Sequence, residues 1–193
     1  MCGGFNSIGI VSSGGAGKVT AEWMMNGEMH EDIFSLDISR FEKFHSELDF
    51  ITERVTETLG NLYAMHWPFK QHTTSRNQKL MPYHDHLIKK GACFGQAAAY
   101  ERPMWYAING NEPKYNYSYG HQNWYESAQY ETLNARTNVA LFELSPFAKF
   151  ELAGLNSHSS LQYLCANNIK NKAGAITYTQ MLNKQGGIEA DLT

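Results

Sequence analysis

Asp191 is the residue whose placement most pointedly suggests chemistry. It lies four residues beyond the Gly186-Gly187 turn, and Ile188, Ala190 and Leu192 take the opposite face of its strand. A carboxylate so placed can stand at a pocket wall and take or hold a proton, although an ordinary solvent-facing strand aspartate has the same spacing. The glycine-rich opening is the second candidate. It is not a phosphate-binding P-loop, because Ser12 occupies the place of the required glycine and Val19 after Lys18 cannot ligate magnesium. The spacing of a dinucleotide fingerprint is also missing. What remains is either a plain structural turn or a loop that brings backbone N–H groups to a ligand. In the second case the following helix would favour negative charge there. His84-Asp85-His86 offers two imidazoles, but its flanks read as helical and no third ligand is evident, so no metal is expected. Cys93 and Cys165 sit in apolar surroundings and read as inert. His66, His72 and His121 read as hydrogen-bonded residues.

The elements that must position these residues follow from periodicity. Residues 4–27 read as a glycine loop and a helix stopped by Asn26-Gly27. Residues 32–50, carrying Asp32, Asp37 and Arg40, suit a connecting segment. From about Glu47 a second helix is expected to bury Ile51, Val55, Leu59 and Leu62 and to end before Pro68. Residues 69–80 are polar and read as an interdomain crossing. A short helix is expected around Tyr83–Lys90, followed by an aromatic-rich loop holding Pro103, Trp105, Tyr106, Tyr115, Tyr117 and Tyr119; its default role is packing. A third helix fits 123–138, and a strand fits Phe147–Leu152. Asn156 or Ser157 can cap a fourth helix whose buried stripe is Leu161, Leu164, Cys165 and Ile169. The closing hairpin is expected to pair Ala175–Asn183 with Ile188–Thr193.

The 193 residues are 42% hydrophobic and 18% charged, which permits a packed core and argues against general disorder. A formal net charge of −3 argues against a nucleic-acid binder relying on bulk positive charge. No stretch approaches the roughly 20 apolar residues that cross a bilayer. Three scattered cysteines do not make a disulfide framework and suit a reducing compartment. Both ends stop inside a pattern, so the sequence is expected to be a fragment.

Two stretches resemble parts of one enzyme family, in the order a fused enzyme requires. Gly4-Phe5-Asn6-Ser7-Ile8-Gly9-Ile10, with Ser12 to Lys18 and Glu22-Trp23, resembles the final flavin-binding segment of the sarcosine and dimethylglycine dehydrogenase family. Arg54 to Gly60 and His66-Trp67-Pro68-Phe69 resemble that family's linker domain. From about Met81 the chain is similar to the start of the aminomethyltransferase (glycine-cleavage T-protein) fold. The matching pieces are Pro82 to Asp85, Gly91 to Phe94, Glu101-Arg102-Pro103, Leu141 to Ser145 and Gly186 to Leu192. Tyr100 departs from the tryptophan common in the family.

The resemblance implies an α+β chain: the tail of an FAD-dependent amine oxidoreductase domain (1–40), a central or linker domain (41–80) and the N-terminal part of a folate-binding aminomethyltransferase domain (81–193). It implies oxidative demethylation of sarcosine or dimethylglycine, with hydride passing to FAD and the one-carbon unit to tetrahydrofolate. An electron-transfer flavoprotein or oxygen would be the electron acceptor. Residues Gly4, Phe5, Asn6, Ser7, Ile8, Gly9 and Ile10 would approach the flavin. Asp191 would handle protons near the pterin, with Tyr178 and Phe147 lining the folate pocket. Nucleic acid and membrane are not expected partners, and a bacterial cytoplasm or a mitochondrial matrix is the expected setting. Alone, without the family's amino-terminal dinucleotide fold, these residues are expected to be inactive. Two other readings are a non-catalytic regulatory protein resembling the regulatory subunit of pyruvate dehydrogenase phosphatase, and a stand-alone folate-dependent aminomethyltransferase. The Gly4–Gly9 segment counts against the latter.

Overall fold

Helix α1 (Gly9–Asn26) stops where Gly27 takes φ 80°, and the Gly27 N–H closes on the Trp23 carbonyl at 2.9 Å. This is the stop that Asn26-Gly27 predicts. The computed structural model describes residues 2–27 and 33–193, so Asp32 of the expected connecting segment lies outside the described residues. The chain forms two units, Met1–Pro146 and Phe147–Thr193. Helices and antiparallel hairpins alternate along it, in keeping with the α+β class.

In the first unit, three short 3₁₀ turns (Phe34–Leu36, Ile38–Arg40 and Lys43–Ser46) lead into α2 (Leu48–Tyr63). The helix forms where expected, but its apolar stripe does not become core. Ile51, Val55 and Leu59 remain 38–44% exposed, and the face turned inward instead runs through Phe50, Arg54 and Glu57. Burial of Phe50 and polar pairing along the 72–76 segment, rather than the expected apolar stripe, set the face that α2 turns inward.

Helix α3 (His84–Lys89) precedes a hairpin of β1 (Ala92–Ala97) and β2 (Tyr100–Tyr106), which corrects the expected aromatic loop: Pro103, Trp105 and Tyr106 are strand residues. The turn is Ala98-Ala99 with both φ values positive, 49° and 65°, so no glycine or asparagine announces it. A register shift between Cys93 and Phe94 accommodates Pro103 in the ladder. Trp105, Cys93, Ala92, Met81 and Phe50 are buried, and α4 (Tyr125–Thr137) packs beside β2.

In the second unit, the expected strand Phe147–Leu152 does not form. Its alternation finds no ladder partner among the described residues, and Phe150 is exposed. Helix α5 (Ser157–Leu164) is followed by β3 (Thr179–Leu182) and β4 (Ile188–Leu192). The first strand of this hairpin therefore begins at Thr179 rather than Ala175. Of the stripe expected on α5, Cys165 is buried and Leu164 is exposed. Cys165 leaves the helix to bridge Met181, and the Ala166 N–H bonds the Gln180 carbonyl at 2.8 Å, which anchors β3 to the helix end.

Candidate functional site

Register brings Tyr178 and Asp191 together. Gln180 of β3 pairs with Asp191 of β4. Tyr178, two residues earlier than Gln180, is the diagonal neighbour on the same face, within reach of a long aromatic side chain. Its hydroxyl donates to Asp191 Oδ2 at 3.3 Å. Both side chains are exposed, Tyr178 by 57%. The backbone beneath is held: buried Thr179 accepts the Asn167 N–H at 3.0 Å, and Asn167 Nδ2 donates to the Tyr178 carbonyl at 3.0 Å. The turn is fixed by Asn183, whose Oδ1 accepts the N–H groups of Gln185 and Gly187 at 3.0 and 2.8 Å. Phe147 begins the same unit with its ring 59% exposed and takes no part in the Tyr178–Asp191 hydrogen bond.

The glycine opening belongs to the first unit. Gly4 and Ser7 have φ 83° and 62°, the Ile8 N–H turns back on the Phe5 carbonyl at 2.8 Å, and α1 starts at Gly9. Gly9 and Ile10 are thus the first turn of the helix, and Gly4–Ile8 are the loop. Among the described residues the N-cap Ile8 supplies no side-chain bond to this end, which leaves its first-turn N–H groups without that cap. A groove of about 470 Å³ runs from Phe5 and Gly9 past Ser13, Ala16 and Gly17 to Met24.

His84 and His86 do not converge. His84 is buried with its ring 4.4 Å from that of Phe94, and His86 is exposed. Among the described residues no cluster of three metal-ligating side chains occurs. Burial pushes the Cys93 thiol up to about 11, which leaves it protonated near neutral pH.

A polar cluster in the first unit is absent from the sequence reading. Glu101 of β2 is fully buried. It accepts from Arg76 Nε at 2.8 Å, the Asn77 N–H at 2.9 Å and Gln96 Nε2 at 3.3 Å, and it also pairs with Arg76 Nη2. Burial opposes its charge, but Arg76 and the Asn77 amide outweigh that and hold the carboxyl below its usual range. On α2, burial likewise disfavours the Glu57 carboxylate, yet hydrogen bonds from Thr74 and Thr73 bring it down to about 2. His72 Nδ1 lies 3.7 Å from Glu57, but burial first and then Arg54 hold the imidazole below its ordinary value, so it adds no charge at neutral pH. The one signal in the sequence was a polar run at 69–80 opposite charged residues at helical spacing on α2. A cavity of about 460 Å³ beside β2 is lined by Met104, Ala128, Glu131 and Phe142, with Glu131 accepting the Tyr106 N–H at 2.8 Å.

Residues 83–193, more than half of the chain, match the GCVT N-terminal domain family. The chain belongs to that family. In this GCVT-family chain, residues 26–80 also match the FAD dependent oxidoreductase central domain. It is 42% identical over 193 residues to 4-methylaminobutanoate oxidase (formaldehyde-forming) of Paenarthrobacter nicotinovorans, covering all of this chain and 23% of that protein. It is 30% identical to the mitochondrial sarcosine dehydrogenase of Homo sapiens, covering 98% of this chain and 23% of the relative. The mitochondrial pyruvate dehydrogenase phosphatase regulatory subunit of Mus musculus is 31% identical, with 97% and 22% covered. The chain thus spans about a quarter of the length of these relatives. The tandem of an FAD oxidoreductase central domain and a GCVT domain, which the resemblance implied, is present, and the relatives include named oxidases and dehydrogenases. Among the described residues no helix is long and apolar enough to cross a membrane.

Proposed function

We propose that the chain is the joining region of a flavin-dependent oxidase or dehydrogenase acting on the N-methyl group of a small N-methylamino acid. We read residues 1–40 as the end of the flavin domain, 41–80 as the central domain and 81–193 as the folate-binding domain. The observation that carries this reading is the tandem family match, central domain first and GCVT domain second. Bound FAD would supply the hydride acceptor and bound tetrahydrofolate the one-carbon acceptor.

The chain's own residues have defined parts in this reading. Gly4 to Ile10 would hold the flavin through loop and first-turn N–H groups, with the α1 dipole favouring negative charge on it. Asp191 would accept a hydrogen bond from a pterin N–H or hold its proton, while Tyr178 keeps Oδ2 oriented. The exposure of that pair supports a role toward a ligand, because neither group is consumed by internal packing. Phe147 would add an apolar wall. Sarcosine or dimethylglycine would be the substrate, and an electron-transfer flavoprotein or oxygen would reoxidise the flavin, in a bacterial cytoplasm or a mitochondrial matrix.

A second reading differs only in the fate of the one-carbon unit. The 42%-identical relative is named as formaldehyde-forming. The test is a polypeptide of the relatives' length carrying these residues, assayed for dye-linked amine oxidation and for one-carbon products with tetrahydrofolate present. Asp191→Ala is expected to lower folate-coupled transfer at least tenfold and to leave oxidation within about twofold. Tyr178→Phe should weaken folate binding about threefold to tenfold by freeing the carboxylate. Equal losses in both assays would remove the folate role from Asp191. Formaldehyde alone, at any tetrahydrofolate concentration, would favour the second reading.

A further inference from the structure

The junction between the two matched families lies at residues 80–83, yet both sides of it belong to one compact unit. Aromatic pairs cross the junction, Trp67 with Tyr119 and Phe69 with Trp124, and a network of polar groups crosses beside them. On the central-domain side, Glu57 of α2 accepts the Thr73 and Thr74 N–H groups at 2.7 and 2.9 Å, and Glu53 accepts the Ser75 N–H at 3.2 Å. On the GCVT side, Glu101 of β2 accepts the Asn77 N–H and the Nε and Nη2 donors of Arg76, while Arg76 Nη1 and Nη2 also reach the His72 and Phe94 carbonyls at 3.0 and 3.2 Å. One six-residue stretch, 72–77, therefore divides its donors between carboxylates of the two families. Positive φ at Ser75 and Asn77 aims those amides in different directions.

Two further bridges do not pass through Glu101. Arg54 Nη2 of α2 donates to the Thr74 carbonyl at 2.7 Å and directly to Gln96 Oε1 of β1 at 3.1 Å. Gln71 Oε1 accepts the Gln96 N–H at 2.9 Å, and Gly95 permits this approach, since a Cβ there would come within 2.9 Å of the Gln71 side chain. A fully buried carboxylate is tolerated only while its donors stay in place, so separating the two sides would strand charge out of water. A flexible linker has no such penalty for opening.

We propose that this network is a rigid joint: residues 69–80 act as a strut that makes α2 and the β1–β2 hairpin open and close as one cooperative body. The inference holds whichever reaction the protein carries out. The test is native-state hydrogen exchange of the 193-residue chain across a urea series. Slow amides of α2 and of β1–β2 are expected to share one opening isotherm, distinct from that of β3–β4. Glu101→Gln, which keeps the shape and removes the charge, should accelerate exchange in α2 and β1–β2 by the same factor, about a hundredfold, and leave β3–β4 unchanged. The inference is overturned if α2 opens at lower urea than β1–β2, if protection is missing from one of the two regions, or if the variant accelerates β1–β2 alone. Should Glu101→Gln fail to fold, the isotherms of the unaltered chain decide the matter by themselves.

Discussion

Each of the two hairpins carries an acidic residue on its second strand, and the two acids have opposite surroundings. Glu101 on β2 is closed off from water and held by Arg76, Asn77 and Gln96. Asp191 on β4 is exposed and takes one hydrogen bond, from Tyr178 at 3.3 Å. A carboxylate satisfied from every side has no lone pair to offer a ligand, whereas one with a single partner does. Glu101 therefore organises the fold, whereas Asp191 stays open to solvent, as its proposed role requires. The family resemblance places both residues in matching motifs, and their surroundings tell them apart.

The largest expected effect tests that separation directly. Arg76→Ala leaves the Glu101 carboxylate buried without its countercharge and should destabilise the first unit by about 3–5 kcal/mol. Asp191→Ala should change stability by less than about 0.5 kcal/mol, as exposed strand substitutions do. Urea unfolding followed by circular dichroism compares them. Similar losses for the two variants would erase the distinction.

An acid titration sharpens the comparison further. Glu57 is held at about 2 against an ordinary value of 4.5, so its folded pKa is depressed. The stability it contributes is fully present above pH ~4.5 and is lost as pH falls toward 2, because the unfolded chain takes up the proton first. Glu57→Gln should flatten that limb of the stability–pH curve for the first unit, and an unchanged acid limb would show that the Thr73 and Thr74 bonds do not set it.

The helices were legible because each signal was local. Asn26-Gly27 stopped α1, Pro68 bounded α2, and the Asn156–Ser157 cap with its apolar stripe placed α5. The second hairpin was legible in outline from Gly186-Gly187 and period-two alternation, while Tyr178 was singled out by the family resemblance alone and its bond to Asp191 by the structure. The failures had three physical causes. Alternation in Phe147–Leu152 and apolar spacing on α2 report what a segment could bury, and neither reports whether a partner is present. The Glu101–Arg76 pair joins residues 25 positions apart through a network that no periodicity encodes. The β1–β2 hairpin was missed because its turn is made of two alanines.

That turn supplies a small effect and a reciprocal test. Ala98 and Ala99 occupy the left-handed region, where a Cβ crowds the backbone, whereas the β3–β4 turn places Gly186 there at φ 82°. Ala99→Gly should therefore stabilise the first unit by about 0.5–1 kcal/mol, the relief of strain exceeding the added freedom of the unfolded chain. Gly186→Ala should cost about 1 kcal/mol in the second, and purely through conformation, because nothing lies within 4 Å of the position its Cβ would take. Thermal midpoints of the two variants should move in opposite directions. If Ala99→Gly also destabilises, local strain is not the governing term at that turn. The hairpin would then depend on the polar joint behind it to hold an unfavourable backbone in place, and the dependence should vanish when Arg76→Ala is combined with Ala99→Gly.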